Sequence, residues 1–249
     1  MDIFSYLLGK KSSGGGGGGG SADLDWQAIG FDKRPEAIDY GYEYAKEIQE
    51  NWVPSTNLAN KFRDDKNIKF MPLVDTSTAT NMQGMFQNCY SLYNIAKIDT
   101  SKVIFMNNIF SSCYALFSIP LLDTKEVTNF GSAFANCFSL KKIPKLNVEK
   151  GTDFGSMFTG CSELTTVPVF DIKKIDFPSG LTNMFRNCKK LTDQSLDNIL
   201  QICIGIETYS GTKTLNILGI NDTTVFPVSR IEALPHYQDF LDAGWTIGY

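Results

Sequence analysis

One histidine, His236, is all that 249 residues contain. Histidine is the side chain used most often for general acid–base work and among the commonest zinc ligands. His236 sits in "LPHYQDF" with no partner motif beside it, so it reads as a surface or helix-start residue. No Cys-x-x-Cys pair occurs, which removes the commonest zinc-binding spacing. No apolar run approaches the ~18 residues needed to cross a bilayer. Basic charge is not in excess, since 23 Lys and Arg stand against 27 Asp and Glu, for a net charge of −4. Nucleic-acid binders usually carry a basic face, so no nucleic-acid partner is expected. The opening "MDIFSYLLGKKSS" lacks a secretory pattern, because its apolar stretch is short and its lysines follow that stretch. These gaps argue against an enzyme, and neither a cofactor nor a metal is expected.

What is present is a repeat. "MFQNCYSL", "IFSSCYAL", "AFANCFSL", "MFTGCSEL" and "MFRNCKKL" share one pattern, and Cys89, Cys113, Cys137 and Cys161 follow one another at 24-residue intervals. Cys188 comes three residues late because "FPSG" lengthens its unit, and Cys203 lies beyond the repeats. Phe86, Phe110, Phe134, Phe158 and Phe185 precede the five cysteines, and Leu92, Leu116, Leu140, Leu164 and Leu191 follow them. Ile95, Ile119, Ile143 and Val167 come next, with Pro120, Pro144 and Pro168 after the last three. Phe62 stands one period before Phe86, so a degenerate first unit begins near it.

A unit such as "SLKKIPKLN" suits a short extended segment. In "TNMQGMFQNC" Thr80 or Asn81 is placed as an N-cap, and Met82, Met85, Phe86 and Cys89 fall at i, i+3, i+4, i+7. That spacing predicts one or two helical turns with one apolar face. One unit cannot bury its own apolar side, so like units must stack. At ~4.8 Å between neighbouring strands, five or six units make a body about 25–30 Å long. Stacked equivalent cysteines have parallel Cβ vectors about one strand spacing apart, and a disulfide needs Cβ atoms near 3.8 Å and facing each other. The cysteines therefore read as a ladder of small buried free thiols.

The pattern "NCxSLxxIPxLDTSxVTNMxxMF", over roughly Ile68–Leu191, resembles the BspA-like leucine-rich repeats. Asn147 and Val148 depart from it where the other units carry Asp-Thr, and the last unit carries the insertion. The resemblance implies an α/β leucine-rich-repeat solenoid of about 24-residue units, each a short strand plus a short helix, and non-enzymatic surface recognition. The C-terminal stretch also looks like that family's usual ending. "LTDQSLDNILQIC" reads as a helix capped at Asp193, Thr212–Ile220 as a strand, and "PHYQDFLDAGWTIGY" as a last helix with a final strand at Trp245–Tyr249. Trp245 reads as core of this cap.

The expected division is an N-terminal anchor peptide (1–11), a Gly/Ser tether (12–21), a helical N-terminal cap (22–66), the repeats (67–191) and a mixed C-terminal cap (192–249). Seven consecutive glycines make the tether flexible, with a root-mean-square span of ~17 Å. The cap helix opens at Pro35 and places Ile38, Tyr42, Ala45, Gln49 and Trp52 on one stripe. Ile3, Phe4, Leu7 and Leu8 give the first eleven residues an apolar face, which reads as an anchor into another protein, as a frayed terminus or as a membrane-surface contact. The short apolar start, the polyglycine run and "DLDW" resemble the opening of minor structural proteins of tailed phages.

Two columns carry the candidate binding residues. Tyr90, Tyr114 and Phe138 follow successive cysteines, and Tyr93 and Phe117 follow successive leucines. Both columns turn polar in later units, at Ser162 and Lys189 and at Lys141 and Thr165, which core columns would not do. An exposed aromatic stripe is expected there, read either as a platform for a sugar or a protein or as rings that only shield neighbouring units. Asp75, Asp99, Asp123 and Asp171 form a further column, read as turn caps, with calcium binding as the alternative. The expected function is a non-enzymatic recognition protein of a virion, anchored to other virion proteins by its N-terminal peptide. Its repeats would meet a host surface protein or glycan, and homo-oligomers are possible. The alternative is a bacterial cell-surface adhesin.

Overall fold

The computed structural model describes residues 42–176, 181, 183–209, 211–216 and 227–248. The anchor face Ile3, Phe4, Leu7 and Leu8, the tether, and the start of the cap helix lie outside these residues. So does the insertion "FPSG". The elements in chain order are α1 (Tyr42–Glu50), β1 (Phe70–Met71), β2 (Asn94–Ile95), β3 (Lys174–Ile175), α2 (Asp193–Ile204), β4 (Thr208–Tyr209), β5 (Thr214–Asn216), α3 (Val228–Glu232), α4 (Tyr237–Asp242) and β6 (Thr246–Gly248). The strands pair in parallel as β1–β2, β3–β4 and β5–β6. Phe70 sits opposite Asn94, one period away, so the sheet register is the sequence register.

Most of the repeat is neither helix nor strand. The stretch expected to be helical, Met82–Cys89, is a run of turns. A helix sends each N–H to the carbonyl four residues back. Here alternate N–H groups leave the segment: Met82, Gly84, Phe86 and Asn88 donate to the carbonyls of Phe105, Asn107, Ile109 and Ser111 in the following copy, at 2.8–3.0 Å. The N–H groups between them, on Met85, Gln87 and Cys89, bond three residues back. Switching direction at every residue requires left-handed backbone, and it occurs at Gly84 (φ 58°) and Asn88 (φ 63°). The same two positions are left-handed in every copy: Asn60 and Asp64, Asn108 and Ser112, Ser132 and Asn136, Ser156 and Gly160, Asn183 and Asn187. Gly, Asn, Asp and Ser fill all twelve, and the first three are the residue types that tolerate this region best.

The apolar spacing nonetheless marks what is buried. Met82, Met85, Phe86 and Cys89 are fully enclosed, as are their counterparts in later copies. A file of nearly parallel rings runs through the stack: Trp52, Phe62, Phe86, Phe110, Phe134, Phe158 and Phe185, with neighbouring centroids 5.4–6.3 Å apart. Five registered steps, from Phe62 to Phe185, set the core, and Trp52 closes the file at its N-terminal end.

Stacking begins earlier than the boundary at residue 67. Leu58, Asn60, Phe62 and Asp64 donate to carbonyls of Asn81, Gln83, Met85 and Gln87, so the first copy occupies part of the stretch expected to be a helical cap. Helix α1 lies ahead of it and buries Ala45 and Ile48, with Tyr44, Gln49 and Trp52 half-buried. Ile48 was not on the expected stripe. Trp52 Nε1 donates to the Asp75 carbonyl at 2.7 Å, Gln49 Nε2 to the Leu73 carbonyl at 2.8 Å, and Tyr44 bonds Asp65. The bond to the Asp65 carboxylate pushes the Tyr44 phenol up to about 12.

At the other end, α2 is capped by Thr192, one residue before the expected Asp193; its hydroxyl accepts from the Ser195 N–H at 3.2 Å. Ser195 and Asn198 then bond the Thr165 and Val167 backbone, which fastens α2 to the last repeats. β5 covers part of the strand expected at Thr212–Ile220, and residues 217–220 lie outside the described set. α4 and β6 follow as expected, and buried Trp245 stacks on Tyr209 at 5.5 Å and Phe240 at 6.2 Å.

Because Asn88 must be left-handed, a β-branched residue there is strained, whereas glycine is not. Asn88 also donates to Asp64 across one step at 2.7 Å. Asn88→Val is expected to cost about 2 kcal/mol, and Asn88→Gly less than about 1 kcal/mol. Thermal melts should separate the two by roughly 3–6 °C. Equal losses would show that this backbone position does not carry the constraint.

Candidate functional site

The repeat spacing lays the predicted aromatic residues out as two files. Tyr90, Tyr114 and Phe138 stack with centroids 4.7 and 4.8 Å apart and planes within 15° and 18° of parallel. They are 37, 39 and 42% exposed, among the most exposed large apolar side chains of the described residues. Tyr93 and Phe117 form the second file, centroids 5.9 Å apart, and both are half-buried. Their backbones are joined directly, the Phe117 N–H donating to the Tyr93 carbonyl at 3.0 Å. Lys141 follows Phe117 by one period and holds its ammonium 5.1 Å from that ring's centroid, a cation–π contact. The structure therefore brings the residues of each column together and leaves the first column outside the core.

Two lysines that the expected stripe did not include precede it. Lys66 stands one period ahead of Tyr90, and Lys69 one period ahead of Tyr93. The signal was available, since the interval that aligns the cysteines also aligns these lysines. Lys66, Lys141 and Lys189 are exposed.

The Asp column serves its turns except at Asp171, which pairs with Lys173 at 2.9 Å. Asp75, Asp99, Asp123 and Asn147 each accept from the N–H two residues on, at 2.9, 2.9, 3.3 and 3.1 Å. The side-chain and backbone bonds from Ser77 and Ser101 hold Asp75 and Asp99 below the usual carboxylate range. Behind them Thr76, Thr100 and Thr124 are buried, and each hydroxyl donates to a carbonyl of the next copy, at 2.7–2.9 Å. These columns line an open groove of about 730 Å³ in which Lys97 and exposed Leu121 also lie.

All six cysteines are free and buried. The repeat thiols do more than fill space. Cys89, Cys113, Cys137, Cys161 and Cys188 each donate Sγ–H to the carbonyl of the core phenylalanine one copy back, at 2.9–3.2 Å. Burial pushes Cys89 and Cys161 up to about 12 and the remaining thiols upward too. The thiolate is the nucleophile, so these sulfurs are chemically quiet.

His236 is a structural residue. It precedes α4, donates its backbone N–H to Asp197 Oδ1 at 3.0 Å, and sets Nδ1 2.8 Å from Asp197 Oδ2. Burial works to raise the Asp197 carboxyl, but the His236 backbone and ring and the Gln201 amide outweigh it and hold it low.

With a thiol-specific chromophoric reagent at pH 8, the folded protein is expected to give little colour over many minutes. After denaturation all six thiols should react. Prompt reaction of several thiols in the folded protein would contradict the enclosed ladder.

Among the described residues, no helix is long and apolar enough to cross a membrane. No curated protein and no solved structure matches the chain. A family model does match, twice, over residues 56–168 and 116–201; its description is "Mycoplasma protein of unknown function, DUF285". That match is compatible with the likeness to BspA-like repeats. The two stretches overlap and jointly cover more than half of the chain, and the protein belongs to the DUF285 family.

Proposed function

We propose that this protein is a leucine-rich-repeat-type solenoid that acts by contact and not by turnover, with the Tyr90–Tyr114–Phe138 stack as its recognition surface. The stack itself carries the reading. Apolar side chains on a soluble surface are normally scattered, and a contiguous group of exposed rings marks a contact site. These three rings are fixed in one file by a hydrogen-bonded backbone, so little side-chain freedom is lost on binding. The engagement of His236 with Asp197 and the quiet thiols support recognition over catalysis. A bacterial cell surface is a fitting place for such a protein, and a surface protein or glycan is a fitting ligand.

The N-terminal sequence favours a second reading of where the body is held. Ile3, Phe4, Leu7 and Leu8 precede seven glycines, a composition suited to a peptide that docks into a larger assembly while the body stays mobile. In a virion the peptide would seat in other structural proteins and the repeats would face the host.

Flow cytometry of labelled protein on intact candidate host cells tests the surface. Tyr93→Ala with Tyr114→Ala is expected to weaken attachment about tenfold or more while melting within roughly 4 °C of the parent. Equal attachment by the double variant would remove the stripe from consideration. Deleting residues 1–20 is expected to leave the melting profile unchanged and to abolish incorporation into particles or retention on the producing cell. Retained incorporation would move the docking surface to α1 or the repeats.

A further inference from the structure

The geometry of the stack narrows its ligand, given the recognition reading above. Tyr114 has Tyr90 on one face and Phe138 on the other, at 4.7 and 4.8 Å. Both faces are consumed, so its 39% exposure comes from the ring edge and the hydroxyl. In the second file the Tyr93 and Phe117 rings cover each other, and Lys141 sits over Phe117. A sugar ring packs its C–H groups on an open aromatic face, and few open faces are on offer. Ring edges are the positive side of the aromatic quadrupole and attract anions and carbonyl oxygens.

Charge points the same way from an independent observation. The 24-residue interval puts Lys66 before Tyr90 and Lys69 before Tyr93, while Lys141 follows Phe117 and Lys189 closes the first column beyond Ser162. Lysines frame the rings at both ends, in a chain whose net charge is −4. Tyr90 and Phe138 end the file with one stacked ring each, and beside Phe138 the next position holds Ser162, whose short side chain donates to the Phe138 carbonyl at 3.5 Å.

We infer that the stripe binds an acidic polypeptide segment, with carboxylates against the ring edges and framing lysines and one aromatic side chain laid on the unstacked face of Phe138. Lys66 and Lys189 are five copies apart, about 24 Å at ~4.8 Å per step, which an extended segment of about seven residues spans. A nonapeptide with acids at both ends and one central aromatic residue matches that frame.

The probe is fluorescein-labelled Glu-Glu-Ser-Gly-Trp-Gly-Ser-Glu-Glu, read by anisotropy with the full chain at about 20 and 200 mM NaCl. Binding is expected to weaken at least about fivefold at the higher salt. It should weaken at least about tenfold with Tyr114→Ala, and as much with Lys66→Glu plus Lys141→Glu. Replacing the central Trp by Ser should also weaken it, and replacing the four Glu by Lys should abolish it. Four results would overturn the inference: no binding up to ~1 mM, equal binding by the lysine peptide, indifference to the variants, or displacement by a neutral glucan or a heparin hexasaccharide. If Tyr114→Ala loses cell attachment while the peptide fails to bind, only the ligand class falls. If attachment is unaffected, the recognition reading falls as well.

Discussion

The constraint on which everything else depends is the alternation of backbone direction within each repeat. Every second N–H of the turn segment leaves its own copy and bonds the next, and those between close tight turns within the copy. A buried backbone must satisfy its polar groups somewhere, and this scheme satisfies them without a regular helix or a long strand. It fixes the register at one period. Once the register is fixed, the ring file, the thiol ladder and the threonine ladder are bound to line up.

The cost of the scheme falls on two positions per copy that must be left-handed, and the sequence shows it. Asn, Asp, Ser or Gly occupies each of the twelve. At Gly160 a side chain would meet Asn136 of the preceding copy, an added Cβ lying 2.5 Å from its Oδ1. Cysteine has a comparable reason. The Phe86 carbonyl already accepts the Cys89 N–H, and the Cys113 thiol, one copy on, supplies a second donor. Alanine would leave part of the space empty and valine would crowd it, and either would leave that acceptor with one bond.

The period, the burial of each apolar column and the free state of the thiols were legible in the sequence, because stacked identical units leave an apolar side chain one place to go. The conformation of the turn segment was not. Met82, Met85, Phe86 and Cys89 have helical spacing, yet a run of alternating turns buries the same four residues. The left-handed residues decide between the two, and they stand in plain view as the small polar columns at Gly84 and Asn88. The 24-residue interval marked a first unit near Phe62, and only its exact start at Leu58 was blurred, because "LANKFRDDKNI" keeps the phenylalanine and not the cysteine, with Asp65 in its place. The exposed aromatic file could be read from the polar replacements in its later members. Its lysine frame needed only the same interval extended upstream to Lys66 and Lys69.

From Phe86 to Phe158 the interfaces between neighbouring copies repeat the same backbone bonds, thiol bonds and core ring contacts. The body is therefore modular in a strict sense. Removing or duplicating one whole unit restores a native seam on both sides, so gene-level slippage by multiples of 72 nucleotides (three per residue over the 24-residue period) changes length without disturbing the fold. Length, and with it the reach of the stack, is open to rapid evolutionary adjustment, and the one 27-residue unit keeps its place as well, since Phe185 still stacks on Phe158 at 5.4 Å.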